Sequence, residues 1–114
     1  MRKLFLCLFL LCVTLPLVAE LPGSIIIKNE TGYQFNELFV AVEGSEGWGE
    51  NLLGETPLKN GEQVAVNLPD LEDSGCTFDF LAVDDEGDDY LKNSVDLCSD
   101  SNLILFTFDD YAGS

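Results

Sequence analysis

Carboxylates are the chemistry-bearing side chains this 114-residue sequence supplies in quantity: it has 21 aspartates and glutamates and no histidine. Without an imidazole, Ser-His and Cys-His nucleophile pairs and histidine-ligated zinc lack their base or ligand. Two carboxylate chemistries remain. Glycoside hydrolysis needs one acid of raised pKa in a cleft, which a chain this short rarely builds, so the sequence reads as non-enzymatic. Binding a hard cation needs oxygen ligands clustered on loops, the preference of calcium. Asp84, Asp85, Glu86, Asp88 and Asp89 form the densest acidic run, and Asp109 and Asp110 follow the last apolar segment. The candidate calcium ligands are therefore Asp84, Glu86, Asp88, Asp109 and Asp110, gathered from separate loops as in C2-like domains. The EF-hand pattern fails, because Val95 stands where that loop needs its final carboxylate. A solvated acidic turn explains the same run without an ion.

A second constellation lies in Gly44–Asn51, a glycine-rich loop carrying the single tryptophan. Trp48 with Glu50 and Asn51 would suit a glycan or partner contact if the indole were exposed. The plainer expectation is that Trp48 folds back and caps one end of the domain.

Strands must position both groups. Ser24–Lys28 is a β-branched run, Tyr33–Glu43 a half-buried strand with an irregularity near Asn36–Glu37, and Gln63–Leu68 alternates cleanly. Phe78, Phe80 and Ala82 alternate against Asp79, Leu81 and Val83. Asn102–Phe108 is apolar on both faces and is expected to be central in a sheet, with Asp109–Ser114 as a polar tail. Asn29-Glu30-Thr31-Gly32 and Asp84-Asp85-Glu86-Gly87 are both polar triplets closed by glycine, the chemistry of short hairpin turns. The first predicts an antiparallel pair between the first two strands, and it is also an N-glycosylation acceptor pattern. No segment sustains a helical period. The expected fold is an all-β, small antiparallel β-sandwich of six or seven strands, with a small closed barrel as the competing architecture.

Arg2 and Lys3, an apolar run from Leu4 to Val13, Pro16 and Ala19 have the layout of a signal peptide, residues 1–19. The run falls short of the ~20 residues that span a bilayer. Leucine precedes both Cys7 and Cys12, where a lipoprotein signal places a small residue. Cleavage would leave a single domain, residues 20–114, in which three lysines face all 21 acids, a net charge of −18. That field disfavours nucleic acid and anionic membrane surfaces and attracts cations and basic proteins. Cys76 and Cys98 are then the remaining cysteines, and in a periplasmic or extracellular setting they are expected to form an intradomain disulfide. If Asp84 pairs with Asp88, Cys76 faces Asp96. Bringing Cys76 to Cys98 therefore requires a five-residue loop, or a bulge that slips the register by two.

Asn29-Glu30-Thr31-Gly32-Tyr33, Trp48-Gly49-Glu50-Asn51-Leu52-Leu53-Gly54, Phe78-Asp79-Phe80 and the run Asp84–Asp88 with Tyr90 resemble small exported bacterial β-sandwich proteins of uncharacterised function. The resemblance covers most of residues 24–97. It implies a fold and export but no activity, because its motifs are turn and core signals. The reading that results is an exported, non-enzymatic acidic binding module. Its expected partner is a basic protein, bound in the manner of small periplasmic inhibitors of basic hydrolases. The alternatives are a calcium-binding structural module and a glycan-binding module.

Overall fold

A computed structural model describes residues 23–68, 75–99 and 102–114. The expected signal peptide and most of the acidic connection before Cys76 lie outside the described residues. The strands are β1 (Ser24–Glu30), β2 (Phe35–Val42), β3 (Gln63–Asn67), β4 (Thr77–Asp84), β5 (Asp89–Asp96), β6 (Leu103–Thr107) and β7 (Tyr111–Gly113), with a 3-10 turn at Phe108–Asp110. Period-two alternation decides which face of each strand is buried. Ile25, Ile27 and Asn29 of β1 point inward, as do Phe78, Phe80, Ala82 and Asp84 of β4. These inner faces meet in one apolar core with Phe35, Leu38, Tyr90, Ile104 and Phe106. Two sheets enclose it, ordered β3-β1-β6 and β2-β4-β5-β7. The domain is thus an all-β sandwich, with one parallel pairing, β1 with β6, among antiparallel ones.

Three local expectations are overturned. β1 does not pair with β2; its neighbours are β3 and β6, and β2 begins the opposite sheet. The turn after β1 is an inter-sheet corner because its side chains bond across to another segment. Asn29 is fully buried, and its Nδ2 donates to the carbonyls of Tyr33 at 2.7 Å and Leu58 at 3.0 Å. Its Oδ1 accepts from the Thr31 N–H and hydroxyl. An amide buried and committed in this way is not a glycan acceptor. β6, expected to be central, comes last in the three-stranded sheet, with Leu103 and Leu105 exposed on its outer face. The polar tail is in fact the 3-10 turn followed by β7, which pairs with β5.

The hairpin β4–β5 keeps the narrow turn. Asp84 N–H donates to the Asp88 carbonyl, and Val83 pairs with Asp89. Beyond Phe80↔Lys92 the register slips by one, so that Phe78 pairs with Val95 and Thr77 with Asp96. The extra residue is accommodated at Ser94, whose φ is 58°. Its N–H is held by Asp79 Oδ1 at 2.8 Å, and its hydroxyl donates to Glu43 Oε2 at 2.8 Å. A one-residue bulge inverts which side chains face inward, and Val95 and Leu97 join the core as a result. Leu97 N–H then bonds the Cys76 carbonyl, and a turn in which Asp96 Oδ1 accepts from Cys98 N–H brings Cys98 alongside. Cys76 and Cys98 form the expected disulfide across Cα atoms 5.3 Å apart. A bulge does shift the register, but by one residue rather than the expected two, and the turn at Asp96–Cys98 supplies the rest.

Candidate functional site

Asp84 ends β4 with an inward-facing carboxylate, and the turn closes around it. Its Oδ1 accepts from the N–H groups of Glu86 at 2.8 Å and Asp88 at 2.9 Å, while Oδ2 accepts from the Tyr90 hydroxyl at 3.1 Å. Tyr90 is fully buried. Burial pushes its phenol above the usual range, reinforced by the hydrogen bond to Asp84 and by the charges of Asp84 and Asp88. Gly87 completes the turn at φ 83°, a region that favours glycine. Glu86 is exposed and Asp88 half-buried.

The other acidic pair is also committed. Thr107 caps the 3-10 turn by accepting from Asp109 N–H, and Asp110 Oδ2 accepts from Thr107 N–H at 2.9 Å. Asp110 further pairs with Lys92 at 3.2 Å, and the Lys92 ammonium lies 5.8 Å from the centre of the Phe106 ring. Lys92 occupies an inward-facing position of β5, so this pair ties β5 to the turn that precedes β7. Asp109 is exposed. Five proposed calcium ligands thus separate into internal anchors, Asp84 and Asp110, the exposed Glu86 and Asp109, and the half-buried Asp88. Among the described residues, the His/Cys/Asp/Glu trio whose ligand atoms approach within 4.8 Å is Cys76, Asp96 and Cys98, and its two sulfurs are bonded to each other.

A cluster of exposed rings lies beside these anchors. Tyr33, Phe108 and Tyr111 are 41%, 53% and 42% exposed. Phe108 stacks on Tyr111 with centroids 5.2 Å apart, and Tyr33 tilts toward Phe108 at 6.2 Å. Buried Tyr90 supports the group from beneath, edge-on to both Phe108 and Tyr111. Each ring is placed by a feature already described: Tyr33 by the Asn29 corner, Phe108 by the capped turn, and Tyr111 by its pairing with Tyr90. The available sequence signal was Phe108-Asp109-Asp110-Tyr111, since a 3-10 turn eclipses side chains three residues apart. Reading the segment as a tail hid it.

Trp48 does not cap the sandwich; it is exposed within a loop whose neighbours are exposed as well. Asn51 is structural. Its Oδ1 accepts from Leu38 and Leu53 N–H at 3.0 Å each, and its Nδ2 donates to the Gly54 carbonyl at 3.2 Å. Glu50 and Asn51 line a groove of about 660 Å³ between the loop leaving β2 and strand β3, together with Leu52, Leu53, Pro57 and Val64. Trp48 is not part of its lining. The loop and the groove therefore split the proposed contact trio, with Glu50 and Asn51 on one surface and Trp48 off it.

No protein-family model, curated protein or solved structure matches the chain.

Proposed function

We propose that the chain is an exported, non-enzymatic binding module of the sandwich class, whose partner is a basic protein. The observation that carries this reading is the platform of Tyr33, Phe108 and Tyr111. Aromatic side chains offer large contact area with little rotamer entropy to lose, and they dominate binding hot spots. A stacked pair also presents π faces on which a guanidinium or ammonium can sit. The surroundings suit such a group. Asp109 is exposed within the same turn, and the acids outnumber the basic residues 21 to 5 over the chain. The internal commitments of Asp84 and Asp110 leave the exposed acids as a steering field for a cationic partner.

Capture by the immobilised protein from a periplasmic or extracellular extract tests this reading. At about 50 mM salt, basic proteins should be retained and then released near 300 mM, where the field is screened. A Phe108→Ala/Tyr111→Ala double variant should retain at most a tenth as much. Capture indifferent both to salt and to the double substitution would overturn it.

A further inference from the structure

The edge of β3 is built differently from the opposite sheet's edge beside it. β2 is an outer strand, yet its outer edge is covered. Leu38 N–H donates to Asn51 Oδ1, Leu52 N–H to the Leu38 carbonyl, and Phe35 and Leu58 exchange both backbone bonds. Among the described residues, β3 has a strand neighbour on one side, β1. In an antiparallel pair, closely bonded residue pairs alternate with non-bonded ones. Leu68 N–H donates to the Gly23 carbonyl and Asn29 N–H to that of Glu62. The same register makes Ile27↔Val64 and Ile25↔Val66 the bonded pairs. The backbone groups of Val64 and Val66 therefore turn toward β1, and those of Gln63, Ala65 and Asn67 turn outward. Neither lysine nor proline, the usual edge protections, occurs in Gln63–Asn67.

The outward groups border the groove. Leu52, Leu53, Pro57 and Val64 give its lining an apolar part, and Glu50 and Glu62 stand in the same lining. A strand added along β3 would direct alternate side chains into this groove and the others past Ala65 on the outer face. Long basic side chains suit the first set, laying aliphatic stems on the leucines with their charged ends toward Glu50 and Glu62. Small β-branched residues suit the second. We infer that the outer edge of β3, at Gln63, Ala65 and Asn67, binds an extended segment of a partner protein in which basic and apolar residues alternate, by strand addition. Its requirement for a basic segment rests on the reading of the acidic field given above. A second copy of this chain is the poorer occupant, because it would bring the same excess of acids to the edge.

A synthetic peptide of about eight residues alternating lysine and valine is the probe, long enough to span β3. It should shift the amide resonances of Gln63, Ala65 and Asn67 and slow their hydrogen exchange at least tenfold. N-methylation of one alternate set of peptide amides should weaken binding at least tenfold, while methylation of the other set leaves it intact. Ala65→Pro removes an outward N–H without touching a bond to β1 and should have a similar effect. The methylated peptides decide the matter even if that variant folds poorly. Equal binding of both methylated forms, or shifts confined to other strands, would overturn the inference. So would the same amide protection in a peptide-free dimer, which makes the occupant a second copy. Phe108→Ala/Tyr111→Ala should leave peptide binding unchanged. Extract capture that survives the double substitution, with peptide binding intact, sinks only the aromatic reading, and capture abolished by the double substitution with no peptide binding to the parent protein sinks only the edge.

Discussion

Asn29 and Asp84 occupy matching positions in two turns of nearly the same composition, yet one turn joins the two sheets and the other closes a hairpin. Each side chain is buried at the end of a strand, and each Oδ1 accepts the N–H two residues on, from Thr31 and from Glu86. Each turn ends in a glycine of positive φ, 96° at Gly32 and 83° at Gly87. The difference lies in the second polar atom. Asn29 has an amide nitrogen with two hydrogens, which it gives to the carbonyls of Tyr33 and Leu58. Asp84 has a second acceptor, which takes the hydroxyl of Tyr90 in the next strand of the same hairpin. A donor at this position reaches distant backbone, whereas an acceptor folds the turn onto its own partner strand.

Exchanging the two side chains tests that account most severely. Asn29→Asp should cost roughly 3 kcal/mol, because it faces two carbonyls with a carboxylate and leaves both without a donor. Asp84→Asn keeps an oxygen for the N–H groups of Glu86 and Asp88, and its new amide can donate to the Tyr90 hydroxyl. The loss should be about 1.5 kcal/mol, the difference between charge-assisted and neutral bonds. Urea midpoints of the two variants measure both. Equal losses would mean that the identity of the second atom does not distinguish the corners.

The limits of sequence reading follow from the same pair. The alternation Phe78-Asp79-Phe80-Leu81-Ala82 announced β4 because side-chain period is a local property. The Cys76–Cys98 clasp followed from having two cysteines outside the expected leader. The corner was misread because its deciding contact, Leu58, lies 29 residues from Asn29, and no local pattern encodes it. β6 was misplaced because apolarity on both faces implies burial on both only when something covers each face, and Leu103 and Leu105 are exposed. Glu50 and Asn51 line a groove that Trp48 does not reach, so the expected trio divides, and the rings of Tyr33, Phe108 and Tyr111 come from separate segments that only the tertiary fold assembles.

Tyr90 sharpens the hairpin half of the comparison through pH. Its phenol is raised by burial first and by Asp84 second, so the folded state holds this proton more tightly than the unfolded chain does. Stability from this source is complete below the unfolded phenol's pKa near 10 and declines as pH rises above it. Tyr90→Phe should lose about 1 kcal/mol at neutral pH, where Asp84 Oδ2 is left without its donor. Its stability should then fall less steeply than the parent's between about pH 9.5 and pH 11. Parallel alkaline slopes would show that the hydroxyl is not the titrating group that matters.

Calcium gives the smallest expected effect and probes the same turn from outside. Asp84 spends both oxygens on Glu86, Asp88 and Tyr90, and Asp110 spends its own on Lys92 and Thr107. A cation drawing on either residue would have to replace bonds that hold β4 to β5 or β5 to the turn before β7. The exposed acids Asp85, Glu86 and Asp109 then offer scattered charge without a converging oxygen shell. Melting in about 1 mM calcium and in EDTA should therefore agree within ~1 °C, because a ligand binding the folded state well below that concentration would raise the midpoint by several degrees. A larger rise that survives Asp109→Asn but disappears in Asp84→Asn would mean that the Asp84 turn opens to coordinate the ion, making the hairpin corner, rather than the inter-sheet one, the adaptable member of the pair.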